Sequence, residues 1–193
     1  MNNVRGYNDD ELLERVKGLD SFTKFPKNYW ILGVQSQEDA TNKFDDKFYI
    51  FQGEKFVMVT TGTTNAGING LKGYDKYNKH GVAVWKTDEW YHGVWKFGKH
   101  KGKMDALRQV KPIKYYRDGD RDGKSEEIGK QYSGIIGVNF HTNTYNKRNT
   151  LVREMIGGWS LGCQVCNQTN HYYRIIDLVK DQTSVTYCLI KEF

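Results

Sequence analysis

Short apolar runs, each closed by Gly, Asn, Asp or Lys, recur along most of this chain, and that pattern predicts strands. Asn28 to Val34 (Asn-Tyr-Trp-Ile-Leu-Gly-Val) reads as a buried strand. Lys47 to Phe51, a turn at Gln52-Gly53-Glu54 and Lys55 to Thr61 read as a β-hairpin, and Thr60 to Thr64 continues it as strand or close-packed turn. Gly81 to Trp85, Pro112 to Arg117 and Val185 to Ile190 are further strands, and Ile135 to Phe140 is a buried one running into His141. Trp90 to Trp95 and Met104 to Val110 are harder to assign. Two segments have helical spacing. Asn8 precedes Asp9, Asp10 and Glu11 as a cap before an acidic first turn, with Leu12, Leu13 and Val16 on an apolar face as far as Gly18. Tyr172 to Val179 would bury Ile175, Ile176, Leu178 and Val179. Asn65 to Lys79, rich in Gly, Asn, Lys and Tyr, reads as a long surface loop bordering a groove, to which Trp90 to Lys103 contributes. The expected fold class is mainly β with a few helices (α+β), a single domain over 1–193 with residues 1–20 as an N-terminal helical extension.

Composition narrows this. A chain of 193 residues can enclose a sizeable core. An aromatic share of 14% excludes a disordered chain and suits strands. The net charge of +6 favours anionic partners such as nucleic acid, anionic lipid or cell-wall polymers. The Lys96 to Lys103 run reads as a solvated loop. No stretch is apolar and long enough to span a membrane. Met1 to Arg5 has no apolar signal core, so a natural start at Met1 implies synthesis without a standard export signal. Three cysteines are an odd count and define no disulfide framework.

The stretch Trp159-Ser160-Leu161-Gly162-Cys163, with His141 upstream, carries the main candidate chemistry. A thiol and a neutral imidazole are the minimum for nucleophilic acyl transfer. Glycine beside the cysteine permits close approach of a carbonyl, and nearby backbone N–H groups can hold an oxyanion. The order of strand, His, loop and Ser-x-Gly-Cys resembles the L,D-transpeptidase catalytic domain, the YkuD fold, over roughly residues 110–190. The resemblance implies a β-sandwich with a short helix after the cysteine, acting on peptidoglycan stem peptides through a cysteine acyl-enzyme. Carried over, Cys163 is the nucleophile and His141 the base. Gly162 and Cys163 donate to the oxyanion, and Ser160 orients the site. The chain departs from the family twice. Leu161 stands where a second His is usual, and Gln164-Val165-Cys166 lacks the usual Arg two residues after the cysteine. Arg153 or Arg174 would then take over carboxylate recognition, with Trp159 and Asn143 completing the substrate-binding set. The Trp-Ser-x-Gly-Cys-Gln form is similar to diverged bacteriophage-associated relatives. That implies a wall-degrading enzyme needing no cofactor, made in the host cytoplasm and acting on the wall or carried on the virion.

Other patterns compete. Cys163-Gln164-Val165-Cys166 is a C-x-x-C, which a thioredoxin-like protein places at a helix N-terminus. Adding His171 gives the start of a zinc knuckle, but its fourth ligand falls at Ile176, leaving only Cys188. Asp118, Asp120 and Asp122 with Gly123 form the first half of a calcium loop whose twelfth position is Gly129, so Glu126 or Glu127 would have to close it. The plainer reading is an acidic turn. Trp85, Trp90, Tyr91, Trp95, Lys96, Lys99 and Lys103 form an aromatic and basic set able to stack sugars or bases, or simply a core edge with a solvated rim. A nucleic-acid-binding module, a zinc-stabilised module and a virion structural component are the alternatives to the enzyme. His80, His92 and His100 lie in polar turns and receive no chemistry.

Overall fold

The protein is described by a computed structural model covering residues 6–38, 40–73, 75 and 78–193. The apolar runs form β1 (Tyr29–Gln35), β2 (Asp46–Gln52), β3 (Lys55–Thr63), β4 (Val82–Trp85), β5 (Glu89–His100), β6 (Met104–Gln109), β7 (Ile113–Asp118), β8 (Tyr132–Gly134), β9 (Phe140–Thr142), β10 (Gln164–Cys166) and β11 (Val185–Lys191). The helices are α1 (Asp9–Lys17), α2 (Ile68–Gly73) and α3 (Thr169–Val179). The fold is mainly β with few helices, as its strand pattern predicts. Where the resemblance implies a sandwich, the larger sheet closes on itself in the order β1-β11-β5-β6-β9-β10-β3-β2, and β4-β7-β8 form a second sheet.

Aromatic packing joins the two sheets. Trp85 of β4 meets Trp95 of β5 and Tyr187 of β11 at ring-centroid distances of 5.7 and 5.5 Å. Wide aromatic faces fill the space between sheets and add edge-to-face attraction. α3 closes the barrel through Tyr172, Ile175, Ile176 and Val179, all buried, and the Tyr172 hydroxyl donates to the Asp105 carbonyl at 2.6 Å. α1 begins in a capping box, with Asn8 and Glu11 satisfying each other's backbone N–H groups. Its Leu12 and Val16 are fully buried in a cluster with Trp30, Leu32 and Trp90. The N-terminal helix is therefore packed against the barrel.

Five segments gain an assignment or differ from expectation. Trp90 to Trp95 and Met104 to Val110 belong to a long β5–β6 hairpin. Lys96 to His100 are part of β5, so only Lys101 to Lys103 form the solvated turn. That hairpin end is exposed on both faces until His100, so no alternation marked it as strand. Asn65 to Lys79 contains α2, whose Gly70 and Leu71 are buried; Tyr74, Lys76 and Tyr77 lie outside the described residues. Ile135 to Phe140 is not a buried strand: Ile135 is 58% exposed and only Phe140 enters β9. The backbone N–H groups of Ile136, Gly137 and Val138 all donate to Gln109 Oε1 at 2.9, 2.9 and 3.2 Å. One side-chain amide thus replaces a neighbouring strand.

Candidate active site

Parallel pairing of β9 with β10 brings the predicted His and Cys together. Val165 faces His141 and Gln164 faces Phe140, which sets Cys163 beside Asn139 at the mouth of the pair. The Gln164 N–H donates to the Asn139 carbonyl at 2.9 Å, and the Asn139 N–H points to Cys163 Sγ at 3.4 Å. Gln164, read from sequence as a departure from the family, is a buried anchor. Its Nε2 donates to the Thr64 carbonyl and its Oε1 accepts from the Tyr187 hydroxyl at 2.6 Å. Tyr187 reaches it because Gly33 leaves room: a Cβ there would lie 2.1 Å from the hydroxyl oxygen.

The turn before Cys163 is held from both sides. Ser160 Oγ donates to the Cys163 carbonyl at 2.8 Å and accepts from the Gly162 N–H at 3.1 Å. Trp85 Nε1 donates to the Gly162 carbonyl at 2.8 Å. Gly162 has φ +123°, and a Cβ would come within 2.5 Å of the Ala83 carbonyl oxygen, so only glycine fits. Ser160 thus bridges the backbone on either side of the turn. The Gly162 N–H, expected as an oxyanion donor, is engaged by Ser160 Oγ.

A third side chain, which the sequence reading passed over, completes the cluster. A ring nitrogen of His100, one of His141 and Cys163 Sγ lie within 4.8 Å of one another. The two rings stack at a centroid distance of 4.2 Å. His141 is 1% exposed, and its Nδ1 lies 2.8 Å from the Thr142 carbonyl, which can only accept. Nδ1 therefore carries the proton, and Nε2, buried with no hydrogen-bond partner, presents a lone pair. His100 has the opposite polarity. Asn139 Oδ1 accepts from the Gln109 N–H at 3.0 Å, so Asn139 Nδ2 is the group 3.0 Å from His100 Nδ1. His100 Nδ1 accepts, and its proton sits on Nε2. In these tautomers the two rings offer one lone pair and one N–H beyond their bonded nitrogens, whereas a metal bound by both rings and the thiol would ask for three lone pairs.

Burial sets the protonation states. It lowers His100 to about 4, helped by the Lys101 ammonium. It lowers His141 to about 3, with His100 adding to the effect. It pushes the Cys163 thiol up, against the pull of the Asn139 N–H. The resting site is a neutral thiol beside two neutral imidazoles, because taking either charge out of water is costly.

Cys163 is half-buried and opens into a cavity of about 290 Å³ that Val82, Ala83, His100, Ile136, Gly137, Val138, Trp159 and Leu161 also line. Lys101 and Arg117 border it as cations. Of the expected substrate-binding residues, Trp159 lies on this wall. Asn143, expected in the substrate-binding set, is fully buried and lines no part of the cavity. Arg153 and Arg174 are exposed and line no part of the cavity. The cations at the cavity are instead Lys101 and Arg117, in segments that sequence order puts far from Cys163. Of the two expected groove segments, the described residues contribute Asn78, His100 and Lys101.

The competing motifs come apart. Cys166 is fully buried in β10, not at a helix N-terminus, and Cys188 is buried in a different core cluster with Trp30 and Trp90. His171 Nδ1 lies against Thr60 Oγ1 at 3.2 Å, so the zinc-knuckle set is not assembled. Asp118 is turned inward, accepting from the Glu126 N–H at 2.8 Å; Asp120 and Asp122 cluster instead with Glu126. The calcium loop therefore lacks its first predicted ligand. Trp85, Trp90, Tyr91 and Trp95 are at most 5% exposed, so their faces are core and not a stacking platform. Among the described residues no helix is long and apolar enough to cross a membrane. Comparison with protein families, characterised proteins and solved structures returns no match.

Proposed function

We propose that this chain is a cysteine-dependent acyl-transfer enzyme, an L,D-transpeptidase-like peptidase of phage type acting on peptidoglycan stem peptides. The observation that supports it most is the unpartnered Nε2 of His141, buried within the cluster that holds the Cys163 thiol at a cavity wall. A lone pair with no other partner, on a ring clustered with a thiol, supports a general-base role.

In the proposed cycle, Cys163 Sγ attacks a stem-peptide carbonyl while its proton passes to His141 Nε2. The carbonyl electron pair moves to oxygen, which accepts from the Cys163 N–H. Collapse breaks the C–N bond, and the His141 imidazolium gives its proton to the leaving amine. Water then cleaves the thioester in hydrolysis, or a second amine does so in exchange. His141 can carry the proton transiently because Thr142 holds its Nδ1–H. The cycle runs on side chains and backbone alone. Lys101 and Arg117 fit a substrate rich in carboxylates, as stem peptides are.

Purified peptidoglycan incubated with the protein and followed by mass spectrometry tests the proposal. Wild type should release or exchange a defined peptide, and Cys163→Ala should lose this while melting at a similar temperature. Full activity in Cys163→Ala would remove the mechanism.

A further inference from the structure

An oxyanion is best held by two or more preorganised donors. In this turn Gly162 N–H is spent on Ser160, so the Cys163 N–H stands alone. His100 lines the same cavity as Cys163, within the cluster that holds the thiol. Its ring is fixed twice over, by the stack on His141 and by the Asn139 amide.

Asn139 is the residue that decides what His100 can do. All four of its polar groups are engaged. Its N–H faces Cys163 Sγ, its carbonyl accepts from Gln164, its Oδ1 accepts from the Gln109 N–H, and its Nδ2 donates to His100 Nδ1. With Oδ1 held by a backbone N–H, the amide cannot turn over without breaking that bond. His100 is thereby kept in the Nε2–H form and cannot compete with His141 for the thiol proton at Nδ1. A second charged ring stacked 4.2 Å from a His141 imidazolium would also oppose the proton transfer.

We propose that His100 is a second catalytic imidazole, a neutral donor whose Nε2–H binds the oxyanion formed when Cys163 attacks an acyl donor in the cavity. This rests on the acyl-transfer reading. No proton leaves His100 in the cycle: the thiol proton goes to His141 and then to the leaving amine, while the Nε2–H of His100 and the N–H of Cys163 hold the oxygen until the carbonyl re-forms.

The test compares wild type, His100→Phe, His100→Gln and His141→Phe in two assays. One is peptide release from peptidoglycan, which passes through an oxyanion. The other is alkylation of Cys163 by iodoacetamide, which needs the thiolate but forms none. His100→Phe keeps a ring to stack on His141 and removes the donor. It should lose roughly 10²–10³-fold in peptide release with alkylation unchanged. His100→Gln, which can present an N–H near the same position, should recover part of the loss. His141→Phe should slow both assays. Undiminished peptide release in His100→Phe would overturn the proposal. So would a fall in its alkylation rate matching that of His141→Phe, since His100 would then be part of the base. Tight zinc binding by wild type that His100→Phe abolishes would also overturn it, because the ring would be offering a lone pair. If wild type releases no peptide although His141 still controls alkylation, the acyl-transfer reading fails and this inference falls with it.

Discussion

At the scale of single residues, Gly162 and Ser160 fix the turn that carries the Cys163 thiol. Gly162 combines a left-handed backbone with a close approach to the Ala83 carbonyl, and its own carbonyl is pinned by Trp85. Gly162→Ala has to move one of these partners. It should destabilise the fold by more than about 1 kcal/mol and lower peptide release further than the stability loss accounts for. Thermal unfolding alongside activity at low temperature separates the two effects. The glycine next to the cysteine was legible from sequence. Its partner Trp85, 77 positions upstream, was not.

At the scale of elements, the strand expected over Ile135 to Phe140 is replaced by a loop that one side chain holds. Gln109 Oε1 gathers three N–H groups, and its Nε2 donates to the carbonyls of Lys111 and Gly134. The same residue's backbone N–H fixes Asn139. Gln109→Ala leaves the buried Val138 N–H without its acceptor, at about 1–3 kcal/mol, and frees the N–H groups of Ile136 and Gly137, which solvent reaches more readily. A fall in denaturant midpoint with loss of peptide release is the expected result, and an unchanged midpoint would contradict this account. The hydrophobic run misled because apolar residues bordering a cavity look like those of a buried strand. β5 misled in the other direction, since its lysine-rich end leaves the core before His100 returns to it. His100 was therefore passed over as a turn residue.

At the scale of the whole molecule, two buried neutral histidines make the fold acid-sensitive. Unfolded, each takes a proton as pH falls below 6.5; folded, His100 waits until about 4 and His141 until about 3. Stability present above pH 6.5 is therefore lost as pH falls through this window. Asp46 acts the other way. Burial raises it to about 8, so the folded chain gains on losing its charge as pH falls. The difference between wild type and His100→Phe isolates the histidine. Calorimetry from pH 7 to 4 should show a steeper fall in Tm for wild type than for the variant.

The sequence by itself determined the mainly β class, both long helices, the hairpin over Lys47 to Thr61, and the pair His141 and Cys163. These rest on local periodicity, capping chemistry and residue type, which neighbours along the chain decide. Only the tertiary structure decided that the larger sheet closes, that Gln164 is an anchor, that Lys101 and Arg117 replace Arg153 and Arg174 at the cavity, and that His100 and Asn139 join the site. Each of those depends on which strands pair. The parallel β9–β10 contact joins segments more than twenty positions apart, and the β6–β9 pairing that brings His100 and Asn139 together crosses a longer gap, which no short window of sequence contains.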